Sequence, residues 1–320
     1  MSEDLRPTLL LTGPIMEAVV ERQLKEAFRL VGAGDFEAAI AAEGGVIRGL
    51  LTRGARRVDD ALLARLPALE IVANFGVGYD TVDAAAAARR GIMVTNTPDV
   101  LNEEVADLTL GLLLATVREI PQADRYLRAG KWEAAPFPLG ATLRDRSIGI
   151  VGMGRIGRAI GRRIEAFGRP VAYHSRRPAA DCPYRHYPDL VALARDVDTL
   201  ILILPGGPET KGLVGREVLA ALGPEGILIN VARGSVVDEP ALVDALVNRT
   251  IRAAGLDVFA DEPHVPEALM GLDNVVLLPH VGSATHHTRG AMGQLVVDNV
   301  KSWFAGTGPV TPVAETPASR

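Results

Sequence analysis

Ser147-Ile148-Gly149-Ile150-Val151-Gly152-Met153-Gly154-Arg155-Ile156-Gly157 runs from an apolar stretch through three glycines into residues with helical spacing that extend to Phe167. Residues 147–151 have the β-branched, apolar composition of a buried strand. A glycine pattern alone is weak evidence. Set between a strand and a helix, it meets the mechanical demands of a dinucleotide-binding turn. Gly152 permits the tight turn, Gly154 lets backbone approach a pyrophosphate, and Gly157 lets helix and strand pack closely. The helix start at Arg155 and Ile156 offers free amides and the positive end of a helix dipole to phosphate.

The alternation of strand and helix continues on both sides of this loop. After it, strands are predicted at 170–174, 199–204, 226–230, 253–256 and 275–278, six with the first, enough for a complete doubly wound sheet. Before it, strands are predicted at 8–12, 46–51, 70–74 and 92–95, with helices at 15–28, 59–66, 83–90 and 102–117. Asp59 and Asp83 are placed to cap two of these helices. A last helix is predicted over 285–304, followed by a Pro/Thr-rich tail, 306–320, expected to be irregular or frayed. Asn96-Thr97-Pro98 interrupts the periodicity and marks a domain boundary. The reading is α/β with parallel sheets throughout.

Bulk composition narrows the possible partners. The chain has 320 residues, 48% hydrophobic and 23% charged, which suits two globular domains. Its net charge of −5 argues against nucleic acid as a partner. The single cysteine, Cys182, cannot form an intrachain disulfide, and the first residues lack a signal-peptide pattern, so a cytoplasmic protein is expected. The longest apolar run, 108–117, is half of what a membrane span needs. His286 and His287 lack partners at zinc-site spacing, so no metal is expected.

The strand predicted at 170–174 ends at His174, where an enzyme using NAD places an acid on the adenosine ribose. No acid is present, and Ser175-Arg176-Arg177 follows. An exposed basic turn is the plainer reading. The missing acid and the added guanidinium groups together favour recognition of a ribose 2′-phosphate, and so NADP, with NAD as the weaker alternative.

Three further charged residues stand just past strand ends. Arg233 closes Ile229-Asn230-Val231-Ala232-Arg233, Glu262 ends Leu256-Asp257-Val258-Phe259-Ala260-Asp261-Glu262, and His280 follows Leu278-Pro279. Carboxyl ends of parallel strands form the ligand crevice, so the three can converge. A cation for a carboxylate, an acid for a carbonyl oxygen and a carboxylate to hold that acid protonated suit the reduction of a 2-keto acid. Asp257 can reach a nicotinamide amide or stabilise its own turn. Val231 and Gly282 complete the expected cofactor contacts, and Leu51 is an expected wall for the substrate.

With these residues in view the chain resembles the D-2-hydroxyacid dehydrogenase family, in particular its glyoxylate/hydroxypyruvate and hydroxyphenylpyruvate reductases. The motifs that carry the resemblance are Asn74-Phe75-Gly76-Val77-Gly78-Tyr79-Asp80, Glu104-Val105-Ala106-Asp107, the glycine loop, residues 230–238 and Pro279-His280-Val281-Gly282. Where the family often has two glycines after the histidine, this chain has Val281-Gly282. The resemblance implies a Rossmann cofactor domain, 99–286, inserted into a flavodoxin-like substrate domain, 1–98 plus 287–320, with hinges at 96–98 and 285–288. It implies that Arg233 binds substrate, that His280 is the general acid assisted by Glu262, and that the amides of Val77 and Gly78 hold the substrate carboxylate. It also implies a homodimer, to which the apolar faces of 105–117 would contribute. Trp132, Phe137 and Leu139 are expected to shape the substrate pocket. Two other readings compete: a corepressor-like dinucleotide sensor, which would show extra interaction segments or a broken triad, and a phosphoglycerate-type dehydrogenase, whose common longer forms carry a regulatory domain.

Overall fold

The computed structural model describes residues 5–13, 18–54 and 56–316, with the side chains of Ala18 and Val19 excepted. The chain divides into two compact units, Met1–Leu101 with Thr285–Arg320, and Asn102–Ala284.

Unit 1 is built from β1 (Thr8–Leu11), α1 (Ala18–Ala27), β2 (Arg29–Val31), α2 (Phe36–Glu43), β3 (Ile47–Thr52), α3 (Asp60–Ala64), β4 (Ile71–Asn74), α4 (Ala84–Arg89) and β5 (Met93–Thr95), completed by a C-terminal helix. Its strands are parallel in the order β2-β1-β3-β4-β5, the flavodoxin-like order. Both faces are covered, which is why the strands read as continuous apolar runs. Leu9 and Leu11 join a core with Val296, Val300 and Trp303, whereas Leu10 joins Leu50, Val72 and Val94 on the other face. Asp59 and Asp83 cap α3 and α4 by accepting from Leu62 N and Ala86 N. The predicted helix start at Ile15 lies outside the described residues.

Unit 2 holds α5 (Asn102–Val117), α6 (Ile120–Arg128), β6 (Ile148–Val151), α7 (Arg155–Ala166), β7 (Val171–His174), β8 (Arg185–Tyr187), α8 (Leu190–Asp196), β9 (Thr199–Leu202), α9 (Arg216–Leu222), β10 (Ile227–Asn230), α10 (Glu239–Val247), β11 (Ala253–Leu256), α11 (Glu267–Met270) and β12 (Val275–Leu277). Its parallel strands run β12-β11-β10-β9-β6-β7-β8. The expected six strands become seven, because β8, Arg185-His186-Tyr187, adds to the edge beyond β7. The apolar residues of α5 are buried within the unit, Leu110, Leu112 and Leu113 against Ile150, Ile160 and Ile229. Intramolecular packing therefore accounts for its several apolar faces.

The C-terminal helix is α12 (His286–Phe304), capped by Thr285, which accepts from Thr288 N. The segment after it is irregular over 306–316, one of the two states expected, but it is held in place. Pro312 bridges Thr95 at the β5 edge, and Val313 is buried in the core of unit 1. Bonds between side chains and backbone, rather than any periodic pattern, hold this segment. Residues 317–320 lie outside the described part.

Candidate active site

Arg233, Glu262 and His280 all belong to unit 2, and each follows one of three neighbouring strands, β10, β11 and β12. Local packing brings their loops together. A Cβ on Gly234 would sit 1.8 Å from the Phe259 carbonyl carbon, so only glycine lets the loop of Arg233 lie on the backbone that leads to Glu262. Asn230, buried at the end of β10, braces that loop. Its Oδ1 accepts from Ala232 N at 3.0 Å and its Nδ2 donates to Arg233 O at 3.1 Å.

His280 Nδ1 lies 2.7 Å from Glu262 Oε2, and Glu262 Oε1 accepts from Phe259 N at 3.1 Å. Burial pushes the Glu262 carboxyl up. The bond and charge of His280, the Phe259 amide and the Arg233 charge outweigh burial, and the net position is below the usual 4.5. Glu262 is thus an anion near neutral pH and can only accept. The proton of the pair sits on Nδ1, and Nε2 remains for a reactant.

The His280 backbone is left-handed, φ 53°, a conformation that costs a non-glycine residue about 1 kcal/mol or more. Asp257 holds the turn that imposes it. Its carbonyl accepts from His280 N at 2.9 Å, and its carboxylate oxygens accept from Val281 N at 2.7 Å and Gly282 N at 2.8 Å. Burial pushes the Asp257 carboxyl up, against the pull of those two amides. Of the two roles expected for Asp257, stabilising the turn is the one these bonds perform. Val231 and Gly282 are buried at the ends of β10 and of the β12 loop.

The dinucleotide loop leaves β6 at the same carboxyl edge. Gly152 has φ 103°, and a Cβ there would lie 2.1 Å from Ile203 O. A Cβ on Gly157 would lie 2.2 Å from Gly152 O, whereas nothing lies within 4 Å of one on Gly154. The first and third glycines are therefore required by the protein's own backbone, and the second opens space. Gly154, the residue that precedes α7, has no side chain with which to cap it, and the positive end of the helix dipole there attracts an anion. This is the fit a pyrophosphate needs.

Beyond the end of β7, His174 Nδ1 donates to Tyr187 O at 3.0 Å and His186 Nε2 donates to Ser175 O at 2.9 Å, since carbonyls only accept. Ser175 Oγ donates to Arg177 O at 2.6 Å. Arg176 Nη1 meets Glu209 Oε2 at 2.5 Å, with the two side chains 85% and 74% exposed. Glu209 was not legible as part of this corner, being 33 residues away with no motif around it.

Val77 and Gly78 follow β4 in unit 1. The carbonyls of Gly76, Val77 and Gly78 each accept a hydrogen bond. Asn74 Nδ2 donates to Gly76 O and Gly78 O, both at 3.1 Å. Asn96 Nδ2 donates to Val77 O at 2.8 Å, and Thr97 N donates to Gly76 O at 3.0 Å. Leu51 lines a cavity of about 60 Å³ in the same unit, with Leu11, Ala73, Phe75 and Val296 as apolar walls and Arg53 and Arg289 beside them. The other expected pocket walls, Trp132, Phe137 and Leu139, belong to unit 2. Phe137 packs edge-on against Tyr126 at 5.3 Å, while Trp132 and Leu139 are exposed. Among the described residues no group of three or more His, Cys, Asp or Glu could hold a metal, and no helix is long and apolar enough to cross a membrane.

Comparison with known proteins agrees with this geometry. The NAD binding domain of the D-isomer specific 2-hydroxyacid dehydrogenases matches residues 110–282. Glyoxylate/hydroxypyruvate reductase A of Arabidopsis thaliana is 44% identical over 301 residues, covering 93% of this chain and 96% of the relative. Hydroxyphenylpyruvate reductase of Plectranthus scutellarioides is 45% identical over 304 residues, with the same coverage of 93% and 96%. The crystal structure of an NADPH-dependent glyoxylate/hydroxypyruvate reductase from Sinorhizobium meliloti, in complex with NADP and malonate, is 52% identical, with a TM-score of 0.93 over 98% of this chain and 99% of that one. A chain with this pair of sheets, this glycine loop and this degree of likeness belongs to the D-isomer specific 2-hydroxyacid dehydrogenase family.

Proposed function

We propose that the chain reduces small 2-keto acids, glyoxylate and hydroxypyruvate foremost, to D-2-hydroxy acids, with NADPH preferred and NADH as the weaker coenzyme. The observation that carries this reading is the convergence of Arg233, Glu262 and His280 at the carboxyl edge of the sheet that also bears the glycine loop.

Gly152, Gly154, Arg155, Ile156 and Gly157 would hold the pyrophosphate, Ser175, Arg176 and Arg177 the 2′-phosphate, and Val231 and Gly282 the nicotinamide end. The coenzyme, when bound, supplies the hydride. Arg233 binds the substrate carboxylate and polarises the ketone. The Val77 and Gly78 amides share the carboxylate, because the carbonyls of that loop already accept bonds from Asn74, Asn96 and Thr97. His280 gives its Nε2 proton to the developing alkoxide. Glu262 neutralises and orients the ring throughout.

The cavity beside Leu51 bears on the substrate side chain. Its walls, Leu11, Leu51, Ala73 and Val296, are apolar, which suits an apolar substrate side chain, and phenylpyruvates are proposed as further substrates beside the short keto acids. The two domains expected from the sequence, 1–98 plus 287–320 and 99–286, would divide the work between substrate and coenzyme. A homodimer fits the surface. Ile120, Leu127, Trp132 and Leu139, on and after α6, expose 53%, 55%, 67% and 100% of their area, which suits burial against a second copy. Coenzyme oxidation measured with glyoxylate, hydroxypyruvate and phenylpyruvate, with the product's configuration assigned, tests the reading. An L-configured product, or no oxidation with any of the three, refutes it.

A further inference from the structure

The loop that would present the Val77 and Gly78 amides is shaped by side chains whose own position depends on the end of the chain. Asn96 donates to Val77 O at 2.8 Å. Its backbone is fixed in turn from the segment after α12. Thr311 Oγ1 donates to Asn96 O at 2.6 Å, and Asn96 N donates to Thr311 O at 3.3 Å. Thr311 is itself held by a fully buried residue of α12. Asn299 Nδ2 donates to Thr311 Oγ1 at 2.8 Å and to Leu295 O at 2.8 Å. Its Oδ1 accepts from Val310 N at 3.0 Å and Thr311 N at 2.9 Å. Both polar atoms of the Asn299 amide are therefore used, and three of its four bonds go to the segment 310–311.

A second contact reaches the far end of the loop. Tyr79, directly after Gly78, donates from its hydroxyl to Glu315 at 3.1 and 3.3 Å. Burial, and then the neighbouring carboxylate, push the Tyr79 phenol up, so the hydroxyl keeps its proton at neutral pH. Between these two contacts Pro312 bridges Thr95, and Val313 N donates to Val94 O at 3.0 Å. The segment is thus fastened to β5, to the residue after β5 and to the residue after the loop.

We propose that residues 310–315 position the substrate-carboxylate loop: Thr311 through Asn96, and Glu315 through Tyr79, keep the loop carbonyls turned inward and so keep the Val77 and Gly78 amides available to the keto acid. The proposal rests on the function assigned above. Asn96, Asn299, Thr311 and Glu315 act as positioning residues, since none of them needs to touch substrate. A loop whose amides are fixed in place binds a carboxylate without the entropy loss of ordering itself. Loosening it weakens substrate binding while coenzyme binding, in the other unit, stays as it was.

The test is steady-state kinetics with glyoxylate and NADPH on the full-length chain. Thr311→Val removes the hydroxyl and keeps the shape. It should raise KM for glyoxylate by roughly three- to tenfold, what one hydrogen bond is worth, with kcat within about twofold and NADPH affinity unchanged. Thr311→Ser keeps the donor and should restore KM. Glu315→Ala alters only an exposed contact, so folding is not at stake, and should raise KM by about twofold. If KM stays at the wild-type value in both Thr311→Val and Glu315→Ala, with only a lower thermal midpoint in the former, the segment is merely structural and the inference falls while the proposed function stands. A wild type that reduces no keto acid overturns the proposed function, and this inference with it.

Discussion

Two pairs in unit 2 join a basic side chain to a glutamate at nearly the same distance: His280 to Glu262 at 2.7 Å and Arg176 to Glu209 at 2.5 Å. Their surroundings differ. Glu262 has a second bond from the Phe259 amide, and His280 sits in a turn whose three amides all donate to Asp257. Arg176 and Glu209 stand in solvent, 85% and 74% exposed. The first pair is a fixed device whose strain is held by neighbours. The second is a surface ion pair of the kind that contributes about 0–1 kcal/mol. Bond length separates nothing here; bracing does. A dianionic phosphate can take Arg176 from Glu209.

The largest test of this contrast is His280→Ala, which should lower turnover by about two to four orders of magnitude, the usual contribution of a positioned general acid. Near-normal turnover would show that the braced pair is only scaffolding. At the exposed pair the effect should be smaller and selective. Arg176→Ala and Arg177→Ala should each raise KM for NADPH about tenfold and leave NADH kinetics nearly unchanged. Added salt should shrink that difference. Equal losses with both coenzymes would place these arginines outside the 2′-phosphate site. Smaller again is Glu209→Gln, which frees Arg176 from competition and should lower KM for NADPH by about twofold or less. A rise in KM would mean that Glu209 orients Arg176 rather than competing for it.

The braced pair also carries a pH signature. Glu262 is held below its ordinary 4.5, so the stability it contributes is fully present above that value and is lost as pH falls through the lowered one. Thermal midpoints of the wild type and Glu262→Gln should differ most above pH 4.5 and converge on acidification. A constant gap down to about pH 2 would contradict the assigned cause.

What could be read from sequence depended on how each feature is held. The buried strands β6, β9, β10 and β11 were legible because both faces are covered and their residues are apolar without interruption. Arg233, Glu262 and His280 were legible because each follows such a strand directly. The edge strands β2, Arg29–Val31, and β8, Arg185–Tyr187, are three residues long and partly polar, so no period marks them. Thr311 and Asn96 pair across 215 residues of sequence, and such pairing has no local signal. The left-handed His280 was hidden for the same reason. Its turn is imposed by Asp257 from the neighbouring strand end, where the short sequence Pro279-His280-Val281 contains no glycine at that position.

Coenzyme-linked reduction of a small keto acid is measured most directly as kcat/KM for hydroxypyruvate with NADPH and with NADH on the wild-type chain. Reduction is expected with both coenzymes, with a preference for NADPH of about tenfold or more, the effect of one net charge-assisted bond to the 2′-phosphate. Absence of hydroxypyruvate-dependent oxidation, or equal or better efficiency with NADH, would contradict that expectation.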